Sequence, residues 1–363
     1  MSINTKAMML GALLFLLPIA GTAQTWQHEG GTLTLDAPPE RIVALNWAAT
    51  ESLLLLGISP VGVADKAGYA TWVQEPELPE GVANVGTRVA PSLEAIAELK
   101  PDLIVTSTEM APAAELLERI APTYVISVYK KGARPYDKAR EMLTTLGEIT
   151  GRKDRAEAVM ADIEQTLNQQ RKRLEQAGIT DKPVALVNFM DDRHVRIYAP
   201  NGLFQTALDN LGLTNAWSDP GNYWGFSAIG LESVADARNS RIVVIEPLVP
   251  GLADSLANSP FWTYLPPVQN DEIYRIPAAW PFGGVYPVKR LAIALTNTVS
   301  IDWFGMFLAW LIKIIVLKYG GVRLYMRTRP FFMGMILGYF TPGGFFLIAD
   351  YFTGMSSNVI FWG

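Results

Sequence analysis

Side chains that could perform catalysis are scarce in this sequence. It has two histidines, His28 and His194, and no cysteine. A Ser-His-Asp triad or a histidine-rich metal site would need one of these two histidines, and thiolate chemistry, disulfides and a lipidated N-terminal cysteine are excluded. Asp191 and Asp192 form a carboxylate pair next to His194, but adjacent carboxylates in a turn are usually solvated. The sequence therefore favours binding over catalysis, and an enzyme acting in a cleft is the weaker alternative.

Aromatic side chains are concentrated in loops rich in glycine, proline and asparagine. Trp47 follows one buried strand run and Trp280 follows another. Loops that leave the strand ends of α/β lobes are common places for ligands to bind. A single loop tryptophan is more often a packing residue, but several from both halves of the chain indicate a ligand platform. The set comprises Trp47, Tyr69, Trp72, Trp217, Tyr223, Trp224, Phe226, Trp280 and Phe282.

Arg88, in the segment 86–89 (GTRV), is the best polar candidate for ligand binding. A guanidinium presents a planar fork of donors, which suits the oxygens of an anionic chelate. The alternative is a surface arginine that pairs with Asp65 or Glu94.

The charge of the chain is unevenly distributed. The formal net charge is -5, yet residues 301–363 carry five basic and two acidic side chains. The remaining body is therefore acidic, which argues against nucleic acid as a partner because phosphate binding needs a basic surface.

The first residues have the pattern of a secretory signal. Lys6 precedes an apolar stretch over 7–20, and small residues follow at 21–23. The apolar stretch is too short to cross a bilayer, so we predict a signal peptide over 1–23 and export of the mature protein. The alternative is a membrane anchor.

The elements that would hold these residues alternate between strands and helices. Apolar strand runs at 41–45, 103–105 and 124–127 are separated by helical patterns, which predicts an α/β fold with mostly parallel sheets. Residues 153–177 are strong helix formers with one apolar face, and a helix of about 24 residues spans about 36 Å. We therefore predict two α/β lobes with flanking helices, bridged by one long helix. The boundaries are 24–150 for the first lobe, 151–178 for the helix and 179–300 for the second lobe.

An internal similarity links the two lobes. Residues 92–98 (SLEAIAE) and 230–236 (GLESVAD) each begin a short helix that leads into a buried strand. Each presents a glutamate, Glu94 or Glu232, at the start of the helix. The helix dipole alone would favour this placement, but the pair across two lobes also predicts docking to a partner protein.

Several motifs resemble the periplasmic ferric-hydroxamate-binding proteins of siderophore importers, a clamshell class whose lobes are joined by one long helix. The resemblance covers about residues 40–298. The motifs that carry it are 41–47 (RIVALNW), 62–65 (GVAD), 72–76 (WVQEP), 84–88 (NVGTR), 199–205 (APNGLFQ), 215–217 (NAW), 222–225 (NYWG) and 276–280 (IPAAW).

The resemblance implies a non-enzymatic substrate-binding protein that captures a ferric siderophore and delivers it to an inner-membrane ABC permease. It needs no cofactor and no direct metal ligand, because the siderophore holds the iron. It implies that Arg88 contacts the chelating oxygens, that Asn222 adds a hydrogen bond, and that four tryptophans, Trp47, Trp72, Trp224 and Trp280, wall a shallow pocket. It also implies that the lobes close only slightly on binding.

Three positions depart from the family pattern. Met110 and Phe282 stand where the family tends to have tyrosines, and Phe226 replaces a small hydroxyl residue. The pocket is therefore expected to be less polar, which leaves the particular siderophore open. A binder of haem or a corrinoid on the same fold is the alternative, since an aromatic pocket would also suit a macrocycle.

The family resemblance ends before the apolar tail at 301–363. The segments 303–317 and 331–349 are near the length that spans a membrane, and the residues between them are basic. One prediction is a membrane hairpin that tethers a periplasmic protein to the inner membrane. The other is a foreign or artefactual fusion at the end of the binding protein.

Overall fold

The structure is a computed structural model, and it describes residues 23–178, 180–298 and 318. The chain divides into two units, 1–296 and 297–363, and the account below concerns the first. Residues 1–22 of the predicted signal peptide and the two predicted tail segments lie outside the described residues. Within the described part of the chain, no helix is long and apolar enough to cross a membrane.

An antiparallel hairpin that the sequence did not predict precedes the first lobe. It consists of β1 (Gln24–His28) and β2 (Gly31–Leu35). Two hydrogen bonds attach the hairpin to the edge of the lobe. Glu29 N donates to Val125 O at 3.0 Å, and Val125 N donates to the His28 side chain at Nδ1, at 3.2 Å. His28 therefore accepts a structural hydrogen bond.

The first lobe contains a parallel five-stranded sheet with the order β5-β4-β3-β6-β7. The strands are β3 (Ile42–Ala44), β4 (Gly62–Val63), β5 (Ala83–Asn84), β6 (Leu103–Thr106) and β7 (Thr123–Val125). The helices are α1 (Trp47–Leu55), α2 (Lys66–Trp72), α3 (Leu93–Glu98), α4 (Ala114–Glu118) and α5 (Pro135–Ile149), with a 3₁₀ helix at Thr108–Ala113. The central strands β3 and β6 are fully buried, as expected for a sheet covered on both faces.

The predicted long helix is α6 (Lys153–Ala177), which has 25 residues and a length of about 38 Å. Its buried residues include Ala156, Val159, Ile163 and Leu167, which form the apolar face that the sequence predicted. Gly178 ends the helix with φ 67°, a left-handed conformation that glycine adopts without steric cost.

The second lobe contains a mixed five-stranded sheet with the order β10-β9-β8-β11-β12. Its strands are β8 (Val184–Phe189), β9 (His194–Tyr198), β10 (Phe226–Gly230), β11 (Arg241–Ile245) and β12 (Ile273–Ile276). Strands β8, β11 and β12 are parallel, and β9 and β10 are antiparallel to their neighbours. Its helices are α7 (Leu203–Leu211), α8 (Leu252–Ala257), α9 (Pro260–Thr263) and α10 (Pro266–Gln269), with a 3₁₀ helix at Leu231–Ala237. Both lobes are α/β, as predicted. The prediction of a mostly parallel sheet is wrong for the second lobe, because the β8–β9 and β9–β10 pairings are antiparallel.

The chain returns to the first lobe after β12, which the sequence did not predict. Residues 286–298 form a helix, α11. Lys289 forms an ion pair with Asp162 of α6 at 2.5 Å, and Arg290 donates to the main-chain oxygen of Val73 behind α2. The chain therefore crosses between the lobes twice, once through α6 and once through the segment before α11.

Candidate functional site

A cavity of about 260 Å³ lies where the two lobes meet. Three short segments of the first lobe line it, 45–48, 107–109 and 126–129, and they directly follow β3, β6 and β7. Loops at the carboxyl ends of parallel strands are the usual ligand site of such sheets. The other lining residues are Arg88, Val89, Met142, Trp224, Trp280 and Phe282.

Arg88 lies over the aromatic floor of the cavity. Its guanidinium carbon is 3.7 Å from the ring centroid of Trp47 and 5.6 Å from that of Trp280, within the range of a cation–π contact. Nε is 3.6 Å from Asp65 Oδ2, an ion pair longer than a hydrogen bond, and this buried Nε has no hydrogen-bond partner. Burial lowers the pKa of Arg88, while the carboxylates of Asp65 and Glu109 raise it. Arg88 is therefore charged, partly desolvated and oriented by an aromatic ring.

The backbone before Arg88 depends on a glycine. Gly86 has φ +99°, and a Cβ there would lie 3.0 Å from Ser92 N and 3.2 Å from Ala90 O. Its carbonyl accepts a hydrogen bond from Asp65 N at 2.7 Å. This turn fixes the Arg88 loop against the segment that carries its acidic partner.

Trp47 is the first residue of α1, whereas the sequence placed it in a loop. The Asn46 side chain accepts from Ala49 N at 2.7 Å and caps the helix, and a cap of this kind sets where a helix begins. Trp47 is buried, and its Nε1 donates to Ala64 O at 3.2 Å. The ring is therefore held rigidly beneath Arg88.

A row of aromatic rings continues from Trp47 into the second lobe. Ring centroids are separated by 4.8 Å between Trp47 and Trp280, 5.1 Å between Trp280 and Phe282, and 5.7 Å between Phe282 and Trp224. All three pairs have edge-to-face geometry, which aromatic pairs favour. Trp224 is 36% exposed, so it presents an open apolar surface to a ligand.

Tyr129 is a lining residue that the sequence analysis missed. Its ring lies 5.6 Å from Trp224 and 5.7 Å from Phe282. Its hydroxyl donates to Pro281 O at 2.9 Å and accepts from Leu203 N at 3.2 Å, so it joins the first lobe to two segments that follow α6. The position of Tyr129 shortly after β7 was the signal that could have identified it.

Glu51 is a fully buried carboxylate that holds the loop after β12. It accepts hydrogen bonds from Gly284 N at 3.2 Å and Tyr286 N at 2.9 Å. A Cβ on Gly283 or Gly284 would come within 2.8 Å of its oxygens, so this contact requires glycine. Burial raises the pKa of Glu51 to about 8, against the two main-chain donors and Arg290, which lower it. Glu51 thereby positions the segment that carries Trp280 and Phe282.

Five of the nine predicted ligand residues line the cavity: Arg88, Trp47, Trp224, Trp280 and Phe282. The other four predicted ligand residues do not line the cavity: Trp72, Met110, Asn222 and Phe226.

The contacts of these four residues indicate supporting positions. Trp72 ends α2 and its ring is 6.0 Å from that of Trp280. Asn222 Oδ1 accepts from Trp224 N at 2.9 Å, which shapes the turn that presents this tryptophan. Phe226 begins β10 and packs 6.2 Å from Phe282, and Met110 is buried next to Glu109.

Two further members of the predicted aromatic platform are packing residues. Tyr69 is buried and donates its hydroxyl to Pro76 O at 2.8 Å. Trp217 is buried and its Nε1 donates to Ser227 Oγ at 3.2 Å. Neither lines the cavity.

The turn at Asp191 shows the features of a structural turn. Its carboxylate accepts from Arg193 N at 2.8 Å and from His194 N at 2.7 Å, and it lies 2.9 Å from His194 Nδ1. The hydrogen bond from Arg193 N, followed by the contact to His194, lowers the pKa of Asp191 to about 2. These residues are absent from the cavity lining, which agrees with the solvated-turn interpretation.

Glu94 and Glu232 are exposed residues in the first turns of α3 and of the 3₁₀ helix Leu231–Ala237. Glu94 Oε2 lies 3.2 Å from Ser92 Oγ, the helix cap. Both glutamates thus occupy matching helix-start positions in the two lobes, as predicted.

A sequence model of the periplasmic binding protein family matches residues 42–279, about two thirds of the chain. The chain therefore belongs to the periplasmic binding protein family. This confirms the resemblance predicted from the sequence and, with it, an extracytoplasmic substrate-binding role without catalytic activity. A family of unknown function matches residues 279–362, which include the tail.

Among relatives, the iron(3+)-hydroxamate-binding protein FhuD of Escherichia coli is 34% identical over 262 residues, 72% of this chain and 88% of the relative. The Fe(3+) dicitrate-binding periplasmic protein FecB of Escherichia coli is 28% identical over 80% of this chain and 94% of the relative. The crystal structure of Fe3+-Desferal-bound siderophore-binding protein FhuD from Vibrio cholerae superposes with a TM-score of 0.69 at 28% identity, covering 72% of this chain and 98% of that one.

Proposed function

We propose that this protein captures a ferric siderophore of the hydroxamate type between its lobes and delivers it to an inner-membrane ABC permease. The observation that carries the proposal is Arg88, whose guanidinium lies 3.7 Å from the Trp47 ring inside an aromatic cavity. A hydrogen-bonding cation on an apolar surface suits a chelate with oxygens around the iron and hydrocarbon outside. The relatives that bind iron(3+)-hydroxamate and Fe3+-Desferal support the same ligand class.

In this proposal the siderophore supplies every iron ligand. The described residues contain no group of three or more His, Cys, Asp or Glu side chains placed to hold a metal ion. Arg88 donates to the chelating oxygens, and Trp224, Trp280 and Phe282 cover the apolar part of the ligand. Four further residues support the site without contacting the ligand, because they fix the positions of the residues that touch it: Trp72, Asn222, Phe226 and Met110.

The second candidate ligand is haem or a corrinoid. The aromatic row from Trp47 to Trp224 favours it, because flat rings stack on a macrocycle. Arg88 above that row favours the anionic oxygens of a siderophore instead. The absorption spectrum of the purified protein distinguishes these ligands, since haem, cobalamin and ferric hydroxamates absorb at different wavelengths.

A titration of tryptophan fluorescence tests the proposal. Four tryptophans, Trp47, Trp72, Trp224 and Trp280, lie in or beside the cavity, so a bound ferric complex should quench their emission. The panel comprises a ferric trihydroxamate, a ferric tricatecholate, ferric citrate, haem and cobalamin, with the iron-free trihydroxamate as control. Saturable quenching by the ferric trihydroxamate supports the proposal. If the trihydroxamate does not quench the fluorescence but haem or cobalamin does, the second candidate ligand replaces the siderophore.

Docking to the permease is assigned to Glu94 and Glu232. Their matching exposed positions in the two lobes suit a partner with basic residues on both halves. Reversal of both to lysine should abolish transport and leave siderophore affinity unchanged. Glu98 and Asp236, exposed acids near the ends of the same helices, provide the matched control when reversed in the same way. Transport at the parental rate in the Glu94/Glu232 variant would refute this assignment.

The export of the protein is proposed to depend on the signal peptide at 1–23.

For the tail, the segments 303–317 and 331–349 are proposed as an inner-membrane tether, since the first has one charged residue and the second none. The full-length protein should then sediment with membranes and resist carbonate extraction, while a chain that stops after Ser300 should be exported and bind ligand. A soluble, monomeric full-length protein would instead support the fused-segment alternative, with which the separate family match agrees.

A further inference from the structure

Two charged side chains line the cavity within the described part of the chain, and they differ in their surroundings. Arg88 is already accompanied by Asp65, 3.6 Å away. Glu109, in the first turn of the 3₁₀ helix Thr108–Ala113, is exposed, and across the described residues its carboxylate forms no hydrogen bond or ion pair. The cavity therefore contains a carboxylate that the protein leaves available to a ligand.

The electrostatic influence of Glu109 reaches both sides of the cavity. Its charge raises the pKa of Arg88 in the first lobe, although burial and Asp65 have larger effects on that pKa. It also raises the pKa of Tyr223 in the second lobe, where burial has the largest effect. A ligand held between Arg88 and Trp224 would therefore lie within the field of this carboxylate.

Two lysines line an adjacent cavity. Lys130 and Lys131 line a space of about 380 Å³ together with Thr108 and Tyr223. Lys130 lies 3.3 Å from Glu29, a carboxylate that Lys138 also approaches at 3.5 Å. The ligand cavity itself contains Arg88 as its only described cation, and Asp65 already balances Arg88.

Ferric siderophores differ in charge in a way that such a cavity can detect. Three hydroxamate groups neutralise ferric iron, whereas three doubly charged catecholates leave the complex strongly anionic. A trihydroxamate with a free amine is cationic at neutral pH. An available carboxylate attracts that amine and repels an anionic complex, and like-charge contacts are an effective way to reject a wrong ligand.

We propose that Glu109 selects ligands by charge, favouring ferric trihydroxamates with a protonated amine over neutral ones and disfavouring anionic chelates. The inference rests on the proposed function, because it assumes that the ligand occupies the cavity lined by Arg88 and Trp224. It assigns to Glu109 a role in specificity, separate from the donor role of Arg88.

Two ligands that differ only in the amine test the inference. Ferrioxamine B ends in a free amine, and its N-acetylated form has the same chelate without the charge. The parent protein should bind the amine form about threefold to fivefold more tightly, as expected for a partly exposed ion pair. Glu109→Gln, which keeps the size and removes the charge, should reduce this ratio to near one. The preference of the parent should also shrink at high ionic strength.

Glu115→Gln is the matched control, because Glu115 is an exposed acid on the neighbouring α4 that does not line the cavity. It should keep the parental ratio. Equal affinities for the two ligands in the parent, or a preference that survives Glu109→Gln, would overturn the inference while the proposed function stands. Failure of the parent to bind either ferrioxamine would instead overturn the proposed function and the inference with it.

Discussion

The two walls of the cleft use different physical interactions. The wall from the first lobe carries charge in Arg88 and Glu109, with Asp65 behind the arginine. The wall from the second lobe is apolar, with Trp224 and Phe282 in edge-to-face contact. Charged hydrogen bonds depend on direction and discriminate among ligands, whereas apolar contact area is tolerant of shape. The first wall is therefore expected to discriminate among ligands. The second wall is expected to add affinity for ligands of varied shape.

The largest effect is expected from Arg88 on the charged wall. Arg88→Ala removes the donors to the chelate and the contact with Trp47, and should weaken binding by about 3 kcal/mol, the upper range for a hydrogen bond to a charged group. Arg88→Lys keeps the charge but not the planar fork, and should recover only part of the loss. The measurement is fluorescence titration with a ferric trihydroxamate. Parental affinity in Arg88→Ala would mean that the charged wall does not hold the chelate.

On the apolar wall, Trp224→Ala and Trp280→Ala should each weaken binding by about 2 kcal/mol, because each removes a large apolar surface. The loss should be similar for different trihydroxamates, in contrast to substitutions on the charged wall. Calorimetric titration with two trihydroxamates of different outline gives the comparison. Phe261→Ala is the control, because Phe261 is exposed and does not line the cavity. Losses that differ strongly between the ligands would show that the aromatic wall also discriminates.

Glu51 links the two walls, and its titration should make stability depend on pH. Its carboxyl has a pKa of about 8 in the folded state and 4.5 as a free side chain, so the folded protein holds a proton that the unfolded chain releases between these values. This contribution is complete below about pH 4.5 and is lost as the pH rises towards 8, by at most about 1.4 kcal/mol per pH unit.

Urea unfolding between pH 5 and pH 8 tests this expectation, because this range covers roughly the interval over which Glu51 titrates. The parent should lose stability with rising pH more steeply than Glu51→Gln, which cannot titrate. The variant should also bind ligand less tightly, because glutamine has one acceptor oxygen, so one of the two main-chain donors, Gly284 N or Tyr286 N, loses its side-chain partner. Parallel pH profiles for the two proteins would contradict the shifted pKa.

The smallest effect is expected at Met110, which is buried next to Glu109 and does not line the cavity. Met110→Tyr should change the difference in binding free energy between two siderophores by less than about 1 kcal/mol, as for a single added hydrogen bond. Competition between two trihydroxamates gives the ranking. An unchanged ranking would show that position 110 does not influence the site.

The sequence predicted the elements that have a strong local pattern. Helix α6 has the predicted bounds because a continuous run of helix formers ends at Gly178. Strand β10 was not predicted, since Phe226–Gly230 has two glycines nearby and no apolar alternation, and it exists through pairing with β9. The return of α11 to the first lobe depends on Glu51 and Arg290, contacts between residues more than two hundred positions apart.

The site was predicted to the extent that its residues have unusual local surroundings. Arg88 and the cavity tryptophans stand out against glycine-rich loops. Glu109 and Glu51 do not, because a glutamate in a helix is ordinary until distant segments meet it, and the only local signal of Tyr129 is its position after a strand. Their roles depend on tertiary contacts that no local pattern encodes.

Tyr129 has a consequence for how long a ligand stays bound. Its hydroxyl joins the first lobe to Leu203 N and Pro281 O, and two chain crossings reinforce that connection. We expect lobes held in this way to have little hinge freedom, so that no closing movement would delay ligand escape. Residence time then follows directly from the strength of the contacts in the cleft. A more tightly bound siderophore would wait longer at the permease, and the rate of uptake should fall for the ligands that this protein holds best.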